Sequence, residues 1–345
     1  MQLKKPADYG ITVGSLTKGK RNQISDVAGV TVGHCTLDTA AHKTGVTVLM
    51  PVKENPFIYK LPAGLWVMNG FGKTLGLVQI EELGTLESPI AFTNTLNVGR
   101  VHDGLVEYLC RRCEAEGVPL TSVNPIVCEC NDATLNDIRH RAVTEEHVFA
   151  AIDSAAADFD EGDVGGGKGT VCHDLKGGMG SASRLMDVDG KIFTMGALVQ
   201  TNHGCLADLT IDGQNIGKKL AEDLGTRTPD QGSVIVVLAT DLPLDARQLR
   251  RVARRASVGL ARLGSYVGHG SGEVFIAFST ANPQTPTDGV LRAVTAYRED
   301  DMDLPFRAAA ECVEEAVLSS MLNAHAVTGF SGKHIPALLD LWQPN

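Results

Sequence analysis

Thr228-Pro229-Asp230-Gln231-Gly232-Ser233-Val234-Ile235-Val236-Val237-Leu238-Ala239-Thr240 runs from a turn straight into an apolar strand. Pro229, Asp230 and Gly232 are turn formers, and the β-branched run after them reads as a buried strand. Ser233 therefore stands at the first position of a rigid element, where an amino-terminal nucleophile is needed. Such a nucleophile exists only if the bond before it is cut. A preceding glycine favours that cut, because without a Cβ it lets a hydroxyl approach its carbonyl. The freed α-amine, with a reference pKa of roughly 7.7–8.0, can then serve as the base for the adjacent hydroxyl. The same letters also read as a plain turn and strand, so the reading depends on what surrounds them.

The 345 residues, with 43% hydrophobic and 21% charged content, describe a globular protein with a large core, read as a single layered α/β unit. A formal charge of -10 and 5% aromatic residues argue against a nucleic-acid surface, which needs positive potential and stacking rings. A small, neutral or cationic substrate fits better. Lys4-Lys5 near the start is not followed by an apolar signal region, and no segment approaches the ~18 apolar residues of a membrane span. The expectation is a cytoplasmic protein with no membrane partner. Eight scattered cysteines then read as reduced thiols. Cys110 and Cys113, in a helix expected over His102–Glu116, lack a second pair, and Cys128 and Cys130 share a strand face without a further ligand. No metal and no cofactor is expected.

Outward from Ser233, strands are expected at Val27–His34, Gly45–Pro51, Ala63–Gly70, Pro89–Thr95, Ile126–Cys130, Lys191–Gln200 and Val274–Ser279. Helices are expected over Gly72–Glu82, Thr144–Phe159, Gln214–Leu224, Asp245–Leu263 and Pro305–Ala324. The strand at Ile126 ends in Asn131-Asp132-Ala133-Thr134-Leu135-Asn136-Asp137, and polar groups crowded at a strand end suggest a site. Glu129, inside the apolar part, either faces solvent or meets a cation, since burying it unpaired is costly. The block from Gly162 to Arg184 holds eight glycines. It imitates a phosphate-binding loop, but Gly169 occupies the magnesium-binding Ser or Thr position. A flexible wall where main-chain amides approach a reacting carbonyl suits it better. Thr201-Asn202-His203-Gly204 ends a strand, where an asparagine is either a turn residue or an amide donor to an oxyanion. Ser271 and Glu273 lie two apart, on one side of an extended chain.

Taken together, Gly232-Ser233, Glu129 to Asp137, the glycine block, Thr201-Asn202-His203-Gly204 and Gly268 to Glu273 resemble the DmpA-type self-processing aminopeptidases. That family includes L-aminopeptidase/D-esterase-amidases and β-peptidyl aminopeptidases, and the resemblance spans about Ile24 to Gly332. It implies a four-layer α-β-β-α sandwich like that of amino-terminal-nucleophile hydrolases, with different strand connectivity. It implies cleavage between Gly232 and Ser233 into residues 1–232 and 233–345. It also implies an aminopeptidase/amidase that releases amino-terminal residues, β- or D-amino acids among them, from short peptides, amides or esters through a covalent acyl-enzyme on Ser233, and a homo-oligomer, a tetramer of processed units. Residue by residue, Ser233 matches the nucleophile and Asn202 the oxyanion-hole amide. Ser271 and Glu273 match the pair that orients the nucleophile and handles the terminal amine. Lys176 matches a lysine near the nucleophile, and Glu129 the acid receiving the substrate's amino group. Ala133-Thr134 departs from the frequent Gly-Tyr of relatives, removing a phenol that in some members lines the site. Three alternatives stay open: a self-processing acyltransferase, an endo-acting amide-oligomer hydrolase and an unprocessed, non-catalytic homologue.

Overall fold

A computed structural model of the chain describes residues 3–225, 230 and 232–344. Thr228, Pro229 and Gln231 of the expected turn lie outside the described residues.

Two sheets form the centre. The first orders β1 (Thr31–Asp38), β2 (Lys43–Met50), β5 (Ile90–Asn94) and β6 (Ile126–Cys130) side by side, with only β5 and β6 parallel. The second has the order β4-β3-β14-β13-β10-β9: Thr85–Leu86, Leu61–Gly70, Gly272–Ser279, Ser233–Thr240, Lys191–Asn202 and Met179–Val188. Its one parallel pair is β13 with β14. Three small hairpins complete the numbering: β7 with β8 (Val171–Cys172, Leu175–Lys176), β11 with β12 (Thr210–Ile211, Gln214–Asn215) and β15 with β16 (Val327–Thr328, His334–Ile335).

Period-two alternation separates the layers. Ile235, Val237 and Ala239 of β13 join Leu49, Ile90, Phe92 and Cys128 in a core between the sheets. Val234, Val236 and Leu238 face the other way, onto a core shared with α5 (Ala246–Ala253), α6 (Ala256–Arg262) and α7 (Asp303–Leu322). Val46, Val48 and Ala91 meet α2 (Val98–Ala115) and α3 (Glu145–Asp153) in a third core. Helix, sheet, sheet, helix is the four-layer sandwich. The helices lie close because glycines sit under them: a Cβ at Gly33 would come 2.0 Å from the Ala151 carbonyl oxygen of α3, and one at Gly180 2.0 Å from that of Ala316 in α7.

Several expectations shift. The first strand starts at Thr31, and the region after Gly72 forms only a short α1 (Leu77–Leu83). Thr144–Phe159 contracts to α3, and Gln214–Asn215 leave the expected helix for β12, so that α4 covers Gly217–Leu224. The helix over Asp245–Leu263 is two helices. The glycine block is not a flexible wall. Gly177, Gly178 and Gly180 are buried, and Met179–Val188 is a ten-residue strand whose polar groups are paired: Ser181 donates to the Ala197 carbonyl at 2.6 Å and Ser183 to Asp26 at 2.7 Å. Among the described residues no helix is long and apolar enough to cross a membrane.

Candidate active site

Ser233 is the first residue of β13, level with the last residue of β10 and the first of β14. Asn202 is its antiparallel partner and Gly272 its parallel one. Ser233 shares the face of Ile235, so its side chain belongs to the space between the sheets. The facing sheet reaches the same spot: the Cys130 thiol, at the end of β6, approaches the carbonyl oxygens of Ser233 at 3.4 Å and Gln200 at 3.5 Å.

The Gly232–Ser233 bond is held from both sides. The Gly232 carbonyl oxygen accepts the Gly272 N–H at 2.9 Å, and the Ser233 hydroxyl lies 2.7 Å from the same oxygen. No side chain fits at 232, because a Cβ would fall 1.8 Å from the backbone oxygen of Asn202. Asn202 continues the β10 ladder and is not a turn residue. Its Oδ1 accepts the Val171 N–H at 2.9 Å. A backbone N–H can only donate, so this contact fixes the amide's orientation and leaves Nδ2 as the free donor.

Ser271 and Glu273 flank Gly272, and the Ser271 hydroxyl donates to Glu273 Oε1. Both side chains are fully buried. Burial pushes the Glu273 carboxyl up to about 7, against the pull of the serine hydrogen bond. Its Oε2 has no partner among the described residues. No hydrogen bond joins either side chain to Ser233. Asn69 secures their loop, donating through Nδ2 to the Gly268 carbonyl at 3.0 Å and also to that of Ser271.

Lys176 is placed differently from the other residues. It is fully buried, and its ammonium donates to the carbonyls of Gly167 at 3.0 Å, Thr170 at 2.8 Å and Gly177 at 2.6 Å. Burial lowers its pKa to about 7. Three carbonyl acceptors match the three protons of an ammonium, and so oppose that shift. None of these bonds goes to Ser233. Thr170 adjoins Val171, so the lysine supports the strand end that orients Asn202.

Glu129 is 2% exposed. Its Oε1 accepts the Lys73 N–H at 3.0 Å, and its Oε2 accepts the Thr95 hydroxyl. Both donors are neutral groups, a backbone N–H and a hydroxyl, so the carboxyl is held in place without an ion-pair partner among the described residues. It lies near Gly272, whose N–H holds the Gly232 carbonyl: a Cβ on Gly72 would stand 3.9 Å from Glu129 Oε1 and 4.0 Å from Gly272 Cα. Ala133 and Thr134 follow in the turn after β6, with Ala133 exposed.

Two contributors escape a reading of the sequence. Gly272 acts through its backbone N–H, to which no residue type gives a signal. Asp230 reads as a turn former, yet it is 3% exposed and accepts the Gly204 N–H at 2.8 Å and the Gly268 N–H at 3.1 Å. It thereby ties the loop after Asn202 to the loop before Ser271. An acid three residues before Ser233 is the only hint the sequence offers.

Known proteins resemble this chain over nearly its full length. Residues 22–335 match the model of peptidase family S58. The chain is 38% identical to the beta-peptidyl aminopeptidase BapA of Sphingosinicella microcystinivorans, over 93% of this chain and 86% of that one. The crystal structure of the PH0078 protein from Pyrococcus horikoshii superposes with a TM-score of 0.91 at 44% identity, covering 97% of this chain and 96% of the other. The L-aminopeptidase D-Ala-esterase/amidase of Ochrobactrum anthropi, described as a variant of the Ntn-hydrolase fold, gives 0.90 at 36% identity, with 97% and 95% covered. With its sandwich fold and the match over nearly its full length, the chain belongs to peptidase family S58.

Proposed function

We propose that the chain is an aminopeptidase/amidase that cuts itself between Gly232 and Ser233 and then uses Ser233 as an amino-terminal nucleophile. The observation that carries the proposal is the Gly232 carbonyl: its oxygen is polarised by the Gly272 N–H while the Ser233 hydroxyl stands beside it. In the first reaction Ser233 Oγ attacks the Gly232 carbonyl carbon. The C–N bond breaks, the nitrogen takes the hydroxyl proton, and the resulting ester is hydrolysed by water. The Gly272 N–H and Asn202 Nδ2 are the donors proposed for the oxyanion.

In turnover the freed α-amine accepts the proton of Ser233 Oγ as it attacks the substrate carbonyl, and that proton passes to the departing amine. Ser271 and Glu273 hold the new terminus. Water then releases the acyl group. Glu129 receives the substrate's ammonium group, which explains a buried carboxylate with only neutral partners. This favours removal of amino-terminal residues over internal cleavage.

Glu129→Gln tests this binding role, because it keeps the shape and removes the charge. The comparison is kcat/KM for one peptide amide with a free and an N-acetylated terminus. A free-amine preference that collapses at least about tenfold, mainly through KM, is expected. An unchanged ratio with lower stability removes Glu129 from the substrate site.

A further inference from the structure

A second cluster of chemically active side chains lies beside the proposed catalytic groups and takes no part in the reaction above. Cys172, His173 and His203 are all buried, and one ligand atom from each lies within 4.8 Å of the others. Cys172 ends β7, His173 opens the turn of the β7–β8 hairpin, and His203 follows the end of β10. The His173 N–H donates to the His203 carbonyl at 2.7 Å, which binds the two segments together. The imidazoles meet edge to face, with ring centres 5.6 Å apart.

The hydrogen bonding of these rings is incomplete in an informative way. His173 Nδ1 lies 2.9 Å from the Cys205 carbonyl oxygen, which can only accept. Nδ1 therefore carries the proton, and Nε2 presents a lone pair. That Nε2 has no partner among the described residues, and neither does His203 Nε2. A buried imidazole whose far nitrogen is fixed by a backbone carbonyl, with its near lone pair free, is the arrangement that orients a metal ligand. The Cys172 thiol, 3.9 Å from His203 Nδ1, supplies a soft donor.

We propose that Cys172, His173 and His203 bind one thiophilic divalent cation of the zinc type, with water as the fourth ligand. Thiolate with imidazole selects such ions over magnesium or calcium. Bond lengths of about 2.3 Å to sulfur and 2.0–2.1 Å to nitrogen put tetrahedral ligands roughly 3.5 Å apart, so the side chains draw together by about 1 Å. Cys172 loses its thiol proton to solvent on binding. Asp230 accepts the N–H of the neighbouring Gly204 and so places a carboxyl group beside the loop that carries His203. The site does not depend on the proposed reaction. It adjoins it, because Val171 and Asn202 immediately precede Cys172 and His203.

The test uses chelator-stripped, reduced protein titrated with Co²⁺, followed by absorbance and native mass spectrometry, then displacement with Zn²⁺. One equivalent bound, with a thiolate-to-cobalt charge-transfer band, is expected. Cys172→Ser should abolish the band, and His173→Gln and His203→Gln should each weaken binding at least about tenfold, while Cys110→Ser leaves it intact; circular dichroism selects the variants that fold. No band in the wild-type protein overturns the proposal. So does a band that survives Cys172→Ser, or one that disappears with Cys110→Ser.

Discussion

Asn202 depends on a single contact, the Val171 N–H on Oδ1, to aim its amide nitrogen. If Nδ2 stabilises the oxyanion, Asn202→Ala should lower kcat by 10²–10³ and slow self-cleavage comparably, which timed gels of freshly refolded protein and steady-state rates will read. Glu273 makes a different prediction. Its folded pKa of about 7 lies above the roughly 4.3 of an unfolded glutamate, so between these values the folded state holds a proton that the unfolded state has lost. Stability should therefore fall as pH rises from about 4.3 to 7, by on the order of 3 kcal/mol, and level off above. Glu273→Gln should remove that slope. Urea melts across this range, with and without the substitution in an uncleavable Ser233→Ala chain, give the comparison. Ser233, Asn202, Ser271, Glu273 and Glu129 stand out as candidates in the sequence because polar residues at or next to the end of an apolar strand are conspicuous, and the structure brings Ser233, Asn202, Ser271 and Glu273 to one place. Gly272 and Asp230 were not, because one acts through its backbone and the other looks like an ordinary turn residue.

At the scale of elements, the β7–β8 hairpin links Lys176 to the site. Lys176→Met should leave the carbonyls of Gly167, Thr170 and Gly177 without their donor, costing about 1–3 kcal/mol or more and disturbing the strand end that holds Asn202. Self-cleavage should slow, and urea midpoints should drop together with it. A catalytic lysine would instead give a stable, inactive chain. Apolar strands such as β13 and β14 were readable because alternation and β-branching agree there. β9 was hidden, since Gly180, Ser181 and Ser183 have little strand propensity and are buried only because α7 and the chain at Asn22–Asp26 satisfy them. The break between α5 and α6 was also invisible. Leu249, Val252, Ala256 and Leu260 keep one helical stripe across it, while the backbone tightens through Arg255 N–H to Val252 and Val258 N–H to Arg255.

Cleavage after residue 232 would divide the whole molecule without letting its halves part. β13 would begin the second chain yet remain hydrogen-bonded to β10 of the first, and β14 to β3. Buried Arg184 bridges to Glu311 at 3.0 Å and Glu315 at 2.6 Å across the same division. Removing either side would strand buried charge, so the two chains should travel together in every native separation. Denaturation alone should resolve them. The most direct measurement is therefore intact-mass spectrometry under denaturing conditions, on wild type and Ser233→Ala, paired with an assay on an amino-acid amide. The account predicts masses of residues 1–232 and 233–345 with activity in the wild type, and one uncut, inactive chain in the variant. An uncut wild-type chain that still turns over substrate, or a Ser233→Ala chain that is cut or active, would contradict it.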